Sequence, residues 1–243
     1  MHLISQGNKL AVLAIDPTSQ LTGGSILGDK TRMANLSAHA NAFVRPSPNG
    51  ATLGGIAAKT REAMLLCDAF GFDYIFVETV GVGQSEISVS HFVDMFILLM
   101  QPGGGDELQG IKRGILEISD LIIVNKADGT QEQVARVALH DYEKSLDVLQ
   151  EKRDWRAPVL ACSSLKKSGF EEIYQVMVRY FEGFNSVKRQ GQLKFWLRDL
   201  IQEKLETKLN QIDWDKETDL ISQGKEQVLD VVEKVFQEVF KND

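Results

Sequence analysis

The sequence predicts an α/β fold with a doubly wound, mostly parallel sheet and a C-terminal helical arm. Apolar runs without polar alternation are typical of strands covered on both faces, and such runs lie at 9–15, 74–77 and 121–124. Each is followed by a loop and a helical pattern, an order that produces parallel strands. No strand-like run occurs after Lys188, so we expect a domain at 1–185 and an arm at 186–243.

Composition excludes several classes of protein. A formal charge of -7 and a pI near 5.2 argue against nonspecific nucleic-acid binding, which depends on clustered Lys and Arg. Cys67, Cys162 and the four histidines lack metal-ligand spacing, and we expect both cysteines to be buried hydrophobic residues in a reducing compartment. Neither an apolar run of about 18 residues nor a signal-peptide pattern occurs. We expect a cytoplasmic protein, or a mitochondrial matrix protein if the source is eukaryotic.

The elements of the predicted domain follow from apolar runs and from glycine and proline positions. The expected strands are Lys9–Ile15, a short Ala42–Arg45 ended by prolines, Tyr74–Val77, a run within Phe92–Met100, Leu121–Val124 and Pro158–Ala161. The expected helices are the last turn of one at Met1–Gln6, then Leu53–Phe70, Glu107–Ile118, Gln131–Lys152 and one that ends near Phe184.

The arm is expected to contain two amphipathic helices, separated by the polar stretch Asp213–Asp219. Their apolar residues recur at helical spacing: Leu193, Trp196, Leu197, Leu200, Ile201 and Leu205, then Val228, Val231, Val232, Val235, Phe236, Val239 and Phe240. Such stripes need a surface to cover. We favour dimerisation over packing within the chain.

Carboxylates follow two of the predicted strands. Glu78 comes after the run Tyr74–Val77, and Asp16 ends the first strand. Because parallel strands end at one edge of the sheet, these groups and Asp29 are candidates for a magnesium shell, in part through waters. The alternatives are an ordinary glycine turn after Glu78 and a helix cap or turn role for Asp16.

The tetrapeptide NKAD at 125–128 directly follows a buried strand. The carboxylate of Asp128 can accept two hydrogen bonds from the N1–H and N2–H edge of guanine, which adenine does not offer. Asn125 is expected to bond the base or to tie neighbouring loops, and Lys126 to lay its stem along the ring. The trio Ser163, Ser164 and Leu165 lies where a backbone N–H can reach guanine O6.

A binding site for the nucleotide phosphates is expected next to the site for the base. Phosphoryl transfer needs backbone amides, a cation and an oriented water. Gly81 is the candidate amide for the γ-phosphate, and Gln84 or a group outside the chain is the candidate for orienting water. Lys112 lies on a predicted helix, where it belongs either to a solvated face or to a face turned towards phosphate.

The ordered segments AIDPTS, GSILGDKTRM, FVETVGVGQSE, QPGGGDELQGIKRG, NKAD and SSL resemble the MeaB/ArgK family of P-loop GTPases, from Lys9 to about Tyr180. The resemblance implies GTP/GDP and Mg²⁺ as ligands and an adenosylcobalamin-dependent mutase, notably methylmalonyl-CoA mutase, as client. It also implies switch segments at 16–32 and 78–86, a third mobile segment at 101–112, and homodimerisation through the C-terminal helices.

One departure from this family concerns the phosphate loop. Family members carry a helical extension, a first central strand and a G-x-x-G-x-G-K-S loop before the position of Met1, and no G-x-x-x-x-G-K-[ST] occurs in these 243 residues. We therefore expect weak GTP binding, little hydrolysis, and a sheet with an exposed edge. A truncated gene or gene model, and a split protein completed by another chain, are both compatible with this pattern.

Three functions are compatible with these features. The first is a GTPase that assists loading of a mutase with its cofactor and protects it. The second is a pseudo-GTPase that binds a partner without hydrolysis. The third is an ATPase linked to amino-acid transport, against which the guanine-selective NKAD argues.

Overall fold

The computed structural model describes residues 1–16, 33–48, 53–79, 84–103, 113–183 and 186–240. The strands in this part of the chain are β1 (Leu10–Asp16), β2 (Ala42–Pro48), β3 (Tyr74–Thr79), β4 (Ile97–Met100), β5 (Leu121–Val124) and β6 (Val159–Ala161). The α-helices are α1 (His2–Ser5), α2 (Ala34–Ser37), α3 (Leu53–Ala69), α4 (Gln84–Ser90), α5 (Arg113–Ile118), α6 (Glu132–Leu149), α7 (Phe170–Glu182), α8 (Ser186–Leu209), α9 (Trp214–Ser222) and α10 (Val228–Phe240).

The strands form two parallel three-stranded sheets. Sheet A has the order β2-β1-β3, and sheet B has the order β4-β5-β6. The predicted α/β class with parallel strands is confirmed. Among the described residues no ladder joins β3 to β4, so each of these strands has one edge without a ladder partner, which agrees with the expected exposed sheet edge.

Sheet B is covered on both faces. All four residues of β5 are buried, and they alternate between faces as the pleat requires. Ile122 and Val124 pack against α6, in a cluster that includes Tyr142 and Leu146. Leu121 and Ile123 pack on the opposite face against α7. The expected strand 121–124 is thereby confirmed, including its burial.

Sheet A has the same arrangement around β1, whose residues 10–15 are all buried. One face, with Ala11 and Leu13, packs against Cys67 of α3. The other face, with Leu10 and Val12, packs against α1. The two central strands, β1 and β5, therefore carry the two cores of the domain.

One helix and one side chain join the two sheets. In α7, Ile173, Val176 and Met177 pack on sheet B, whereas Tyr174 packs on sheet A. The side chain of Tyr74, at the start of β3, belongs to both hydrophobic clusters. The edges β3 and β4 therefore lie side by side over the same helix.

The two inner edges are less buried than the apolar sequence predicts. The run Tyr74–Val77 was expected to be covered on both faces, but none of its residues is fully buried, and Phe76 is 37% exposed. Leu99 of β4 is 67% exposed. The physical reason is that each strand has a ladder partner on one side only among the described residues.

Strand β2 continues beyond the predicted end at Arg45, through Pro46 and Pro48. The carbonyl of Asn41 accepts the N–H of Leu10 at 2.9 Å, so the odd-numbered residues of β2 direct their backbone groups to β1. Both prolines therefore occupy outward positions of an edge strand, where a missing N–H costs no ladder bond. The prediction that the prolines end the strand is wrong.

A buried polar network lies at the start of β4 and β5. The carboxylate of Asp120, 1% exposed, accepts hydrogen bonds from Arg153 at 2.7 Å, Lys188 at 2.9 Å and the backbone N–H of Phe96 at 2.9 Å. Tyr180 donates its hydroxyl to the carbonyl of Asp94 at 2.8 Å, and burial raises the pKa of this phenol. The network fixes the N-terminal ends of both strands.

The chain divides into two compact units, Met1–Gln192 and Leu193–Asp243. In the second unit, Val231, Val235 and Val239 of α10 are buried, and they pack with Leu205, Leu209, Ile212 and Ile221. The polar stretch 213–219 lies in sequence between α8 and α10 as expected, but it forms most of a third helix, Trp214–Ser222, where only two were expected. Asp213 caps it by accepting the N–H of Lys216 at 3.1 Å.

The remaining elements follow the predicted ones within a few residues. Helix α3 ends at Ala69 and α6 begins at Glu132, after a 3-10 turn at Gly129–Gln131. Of the expected helix 107–118, only Arg113–Ile118 lies among the described residues. In the part of the chain that is described, every helix is too short or too polar to cross a membrane.

Candidate functional site

The loops that follow β4, β5 and β6 meet at the C-terminal edge of sheet B. The N–H of Asn125 donates to the carbonyl of Met100 at 2.8 Å, and the N–H of Cys162 donates to that of Val124 at 2.9 Å. The N–H of Ala127 then donates to the carbonyl of Cys162 at 3.0 Å. These bonds bring the NKAD and SSL segments, 35 or more residues apart in sequence, into one site.

Asn125 fixes this junction through a single oxygen. Its Oδ1 accepts hydrogen bonds from the backbone N–H of Lys126 at 2.8 Å and from the N–H and Oγ of Ser164 at 3.1 and 3.0 Å. The thiol of Cys162 also donates to it, at 3.4 Å. Of the two roles considered for Asn125, the structure contains the loop-tying one.

Lys126 adopts a left-handed conformation, with φ of 61°. This is uncommon for a side chain with a Cβ and marks a backbone held by its surroundings. Its Nζ donates to Oε1 of Gln101 at 2.9 Å, which links the loops after β4 and β5. The lysine is exposed, so its alkyl stem is available to a flat ligand.

Asp128 begins the 3-10 turn but does not cap it with its side chain. Its backbone closes the loop instead. Its N–H donates to the carbonyl of Lys126 at 2.9 Å, and its carbonyl accepts the N–H of Gln131 at 3.1 Å. The residue is half-buried. Within the described residues the carboxylate has no hydrogen bond or ion pair, so it is available as an acceptor for a ligand.

The SSL trio forms a tight turn. Ser163 is fully buried, exchanges backbone hydrogen bonds with Ser168 at 3.1 Å, and accepts the N–H of Lys166 on its Oγ at 3.0 Å. Ser164 donates its N–H to Asn125. Leu165 is 86% exposed, and among the described residues its N–H is the one amide of the trio without a hydrogen bond.

Glycine is required at the base of this turn. Gly169 has φ of 84°, and a Cβ placed there would lie 2.4 Å from the carbonyl oxygen of Ala161. The close approach of the two backbone segments holds the trio against the end of β6.

Both cysteines are free, buried thiols. Burial raises the pKa of the Cys162 thiol, and burial likewise raises that of Cys67. A raised thiol pKa disfavours the nucleophilic thiolate. The interpretation of both as buried hydrophobic residues agrees with this, although Cys162 also contacts Asn125.

The predicted phosphate and metal residues are only partly described. Asp16 ends β1 and Glu78 lies in β3, and Ala14 pairs with Glu78, so both lie near the C-terminal ends of adjacent parallel strands. Glu78 is exposed, while the side chain of Asp16 lies outside the described atoms. Gln84 begins α4, again without a described side chain.

The other predicted residues, Asp29, Gly81 and Lys112, lie outside the described residues. No group of three or more metal-ligating side chains occurs in the described ranges. The metal and phosphate assignments therefore stay predictions.

Two site residues were missed by sequence reasoning. Gln101 accepts a hydrogen bond from Nζ of Lys126, and the thiol of Cys162 donates one to Oδ1 of Asn125. Each directly follows a strand of sheet B, as Asn125 does. Their position at the same sheet edge was the available signal, since parallel strands deliver the residues that follow them to one place.

Comparison with known proteins identifies the family of this chain. The model of the family described as "Methylmalonyl Co-A mutase-associated GTPase MeaB" matches residues 1–213. The chain belongs to the MeaB family. This agrees with the resemblance carried by its motifs.

Relatives of this MeaB-family chain come from bacteria and animals. It is 48% identical over 211 residues to "GTPase ArgK" of Escherichia coli, which covers 84% of this chain and 64% of the relative. It is 48% identical over 210 residues to "Methylmalonic aciduria type A homolog, mitochondrial" of Mus musculus, covering 84% of this chain and 50% of the relative.

A solved structure extends the comparison to the fold. The crystal structure of an LAO/AO transport system kinase is 32% identical and superposes with a TM-score of 0.71, covering 99% of this chain and 75% of that one. The chain spans between half and two thirds of the length of the bacterial and mouse relatives described above.

Proposed function

We propose that this chain binds guanine nucleotides, GTP and GDP, at the C-terminal edge of sheet B. The observation that carries the proposal concerns the carboxylate of Asp128, on a half-buried residue. Within the described residues it has no hydrogen bond or ion pair, and it lies in a loop that Asn125 holds in place. The family's description as GTPases supports it.

The base selectivity follows from the donors of guanine. N1–H and the 2-amino group both point to one side of the ring, and a carboxylate at Asp128 accepts from both. Adenine presents an acceptor at N1, which a carboxylate repels. Sites built around such a bond discriminate by as much as about 10⁴-fold. The stem of Lys126 lies along the ring, and the N–H of Leu165 reaches O6.

The phosphate end is proposed to lie at the C-terminal ends of β1 and β3. Asp16, Asp29 and Glu78 are the candidates for holding Mg²⁺, in part through waters. Gly81 would donate its N–H to the γ-phosphate, and Gln84 would orient the attacking water. Mg²⁺ would neutralise charge on the phosphates when bound. Lys112 is a candidate for a further contact with phosphate.

We further propose a chaperone role towards an adenosylcobalamin-dependent mutase, with homodimerisation through the arm. The family's description as methylmalonyl-CoA mutase-associated supports the partner. Exposed apolar residues on α8 and α10 support the dimer: Leu193, Leu197, Leu200 and Ile201, and Leu229, Val232, Phe236 and Phe240.

A second candidate is a pseudo-GTPase that binds its partner without hydrolysis. It shares with the first candidate the family's description as mutase-associated, which names a partner as well as an activity. Retention of a mutase on the immobilised chain, unchanged by GTP and without phosphate release, supports this candidate. GTP-dependent retention with turnover above the buffer background supports the GTPase.

Nucleoside monophosphates test the base assignment directly, because their binding depends little on the proposed site for the β- and γ-phosphates. We expect affinities in the order GMP, IMP, AMP, measured by NMR titration at millimolar concentrations. IMP lacks the 2-amino group and loses one hydrogen bond to a charged acceptor, which costs about 10- to 100-fold.

The matched control is Asp128→Asn, which removes the charge and keeps the shape. It is expected to lose the preference for GMP over AMP and to gain affinity for XMP, whose 2-oxo group accepts from the new amide. Equal binding of GMP and AMP by the unsubstituted protein contradicts the proposal.

A further inference from the structure

Gln101, which follows β4, contacts a residue of the proposed base site on the neighbouring loop. We propose that Gln101 is a positioning residue for guanine-nucleotide binding, and that it acts by holding the side chain of Lys126 in place before the base binds. The inference rests on the proposed function and deepens it, because it adds to the base site a residue from the loop after β4.

The contact joins two loops that follow adjacent strands. Nζ of Lys126 donates to Oε1 of Gln101 at 2.9 Å, across 25 positions of sequence. In the part of the chain that is described, this is the one hydrogen bond of the ammonium group, and no ion pair accompanies it. The position of the charged end of Lys126 therefore depends on Gln101.

The other end of the lysine is fixed by its backbone. Lys126 has φ of 61°, which is uncommon for a residue with a Cβ. Its N–H donates to Oδ1 of Asn125 at 2.8 Å, and its carbonyl accepts the N–H of Asp128 at 2.9 Å. Since the backbone and the ammonium are both held, the flexible stem between them has few conformations left.

The backbone of Gln101 is itself restrained on both sides. It follows Met100, the last residue of β4, whose carbonyl accepts the N–H of Asn125 at 2.8 Å. It precedes Pro102, and the residue before a proline is biased towards extended conformations. The acceptor for the lysine therefore projects from a defined place at the C-terminal edge of sheet B.

The arrangement matters for affinity because a free lysine side chain is costly to immobilise. Ordering one long side chain on binding weakens the affinity by about 2- to 10-fold. Here the hydrogen bond to Gln101 orders the stem in the absence of a ligand, so a purine that lies along the stem does not bear this cost. Both side chains are exposed, so the stem stays accessible to the ring.

The expected effect is on affinity and not on the choice of base. The stem of Lys126 contacts a ring face, which every purine has, whereas Asp128 contacts the edge that differs between guanine and adenine. Loss of the acceptor at Gln101 is therefore expected to weaken GMP and IMP binding by the same factor. The ratio of the two affinities is expected to stay unchanged.

The test is a double-mutant cycle on the full chain, with the affinity for GMP measured by NMR titration. Gln101→Met keeps the length of the side chain and removes the acceptor, and is expected to weaken GMP binding about 2- to 10-fold. Lys126→Met keeps the stem and removes the ammonium. In the Lys126→Met background, Gln101→Met is expected to change the affinity by less than about twofold, because the contact is already lost.

Further measurements separate positioning from a structural role. Gln101→Glu keeps an acceptor at the same place and is expected to bind GMP more tightly than Gln101→Met. Gln133→Met, at an exposed position of α6, is the matched control and is expected to leave GMP binding unchanged. Without ligand, the two Hε protons of Lys126 are expected to have distinct chemical shifts, as in an ordered side chain, and to merge in Gln101→Met.

Three results would overturn the inference. One is unchanged GMP affinity in Gln101→Met while the preference for GMP over AMP persists, which contradicts this inference alone. Another is an equal loss of affinity from Gln101→Met with and without Lys126→Met, which would give Gln101 a purely structural role. The third is equal binding of GMP and AMP by the unsubstituted chain, which contradicts the proposed function and the inference together.

Discussion

The side-chain oxygen of Asn125 lies 3.1 Å from the backbone nitrogen of Ser164 and accepts its hydrogen bond. The same oxygen accepts from the Ser164 hydroxyl at 3.0 Å. One side chain thus ties the loop after β5 to the loop after β6. The proposed base-binding residues on both loops depend on this tie for their relative positions.

Asn125→Ala is expected to lower the free energy of unfolding by about 1–2 kcal/mol, since it removes an acceptor used by several donors. Urea denaturation measures this value, and hydrogen exchange at the Ser164 amide is expected to accelerate. Ser164→Ala, which removes only the hydroxyl donor, is the matched control and is expected to cost less. Equal costs for the two variants would contradict the role assigned to Oδ1.

Gly169→Ala is expected to destabilise the protein more than Gly129→Ala. Both glycines have positive φ, so an alanine costs about 1–2 kcal/mol at either position. Only at Gly169 does the new Cβ meet a backbone oxygen, at 2.4 Å, whereas nothing lies within 4 Å at Gly129. Denaturation midpoints of the two variants compare the costs, and similar midpoints would show that the turn can relax.

The stability of the protein is expected to fall as the pH rises from about 10 to about 12. Burial, with a hydrogen bond to Tyr174 and nearby charges, raises the pKa of Tyr74 from 10.0 to about 12. In this window the unfolded chain loses a proton that the folded chain keeps, so the free energy of unfolding decreases. Tyr180, whose pKa is also raised, contributes with the same sign.

Tyr74→Phe removes this titration and is expected to flatten the decline. Urea denaturation at pH 9 and pH 11 provides the comparison, and differences between the two proteins cancel the lysine titrations that they share. A decline of unchanged steepness in Tyr74→Phe would show that this phenol ionises similarly in both states.

Phe236→Glu and Val235→Glu, neighbours on α10, are expected to have different effects. Phe236 is 59% exposed, whereas Val235 is 8% exposed and packs within the second unit. Phe236→Glu is expected to weaken self-association in sedimentation equilibrium while the helical circular dichroism stays unchanged. Val235→Glu buries a charge and is expected to lose helicity. If Phe236→Glu self-associates as strongly as the unsubstituted protein, α10 is not part of the dimer interface.

The sequence predicted those features that are encoded locally. The runs of β1 and β5 are apolar throughout because both strands are covered on both faces. NKAD follows β5 directly, so its place at a strand end was also predictable. In the arm, Trp214–Ser222 was missed because its polar composition conceals a helix whose start is fixed by Asp213.

Features that depend on distant residues were not predictable from the sequence. The strand order within each sheet, β2-β1-β3 and β4-β5-β6, depends on which strands pair, and apolar runs carry no information about their partners. Asp120 meets Arg153 and Lys188, 33 and 68 residues further along the chain. Neither contact has a local pattern, since each is produced by the packing of separate elements.

A crystal structure with GMP at millimolar concentration is the most direct test of whether Asp128 recognises guanine. We expect N1 and the 2-amino nitrogen each to lie about 2.7–3.2 Å from the Asp128 carboxylate, with the ring beside the stem of Lys126. A bound purine elsewhere on the protein, or one at this edge with Asp128 turned into solvent, would contradict the claim.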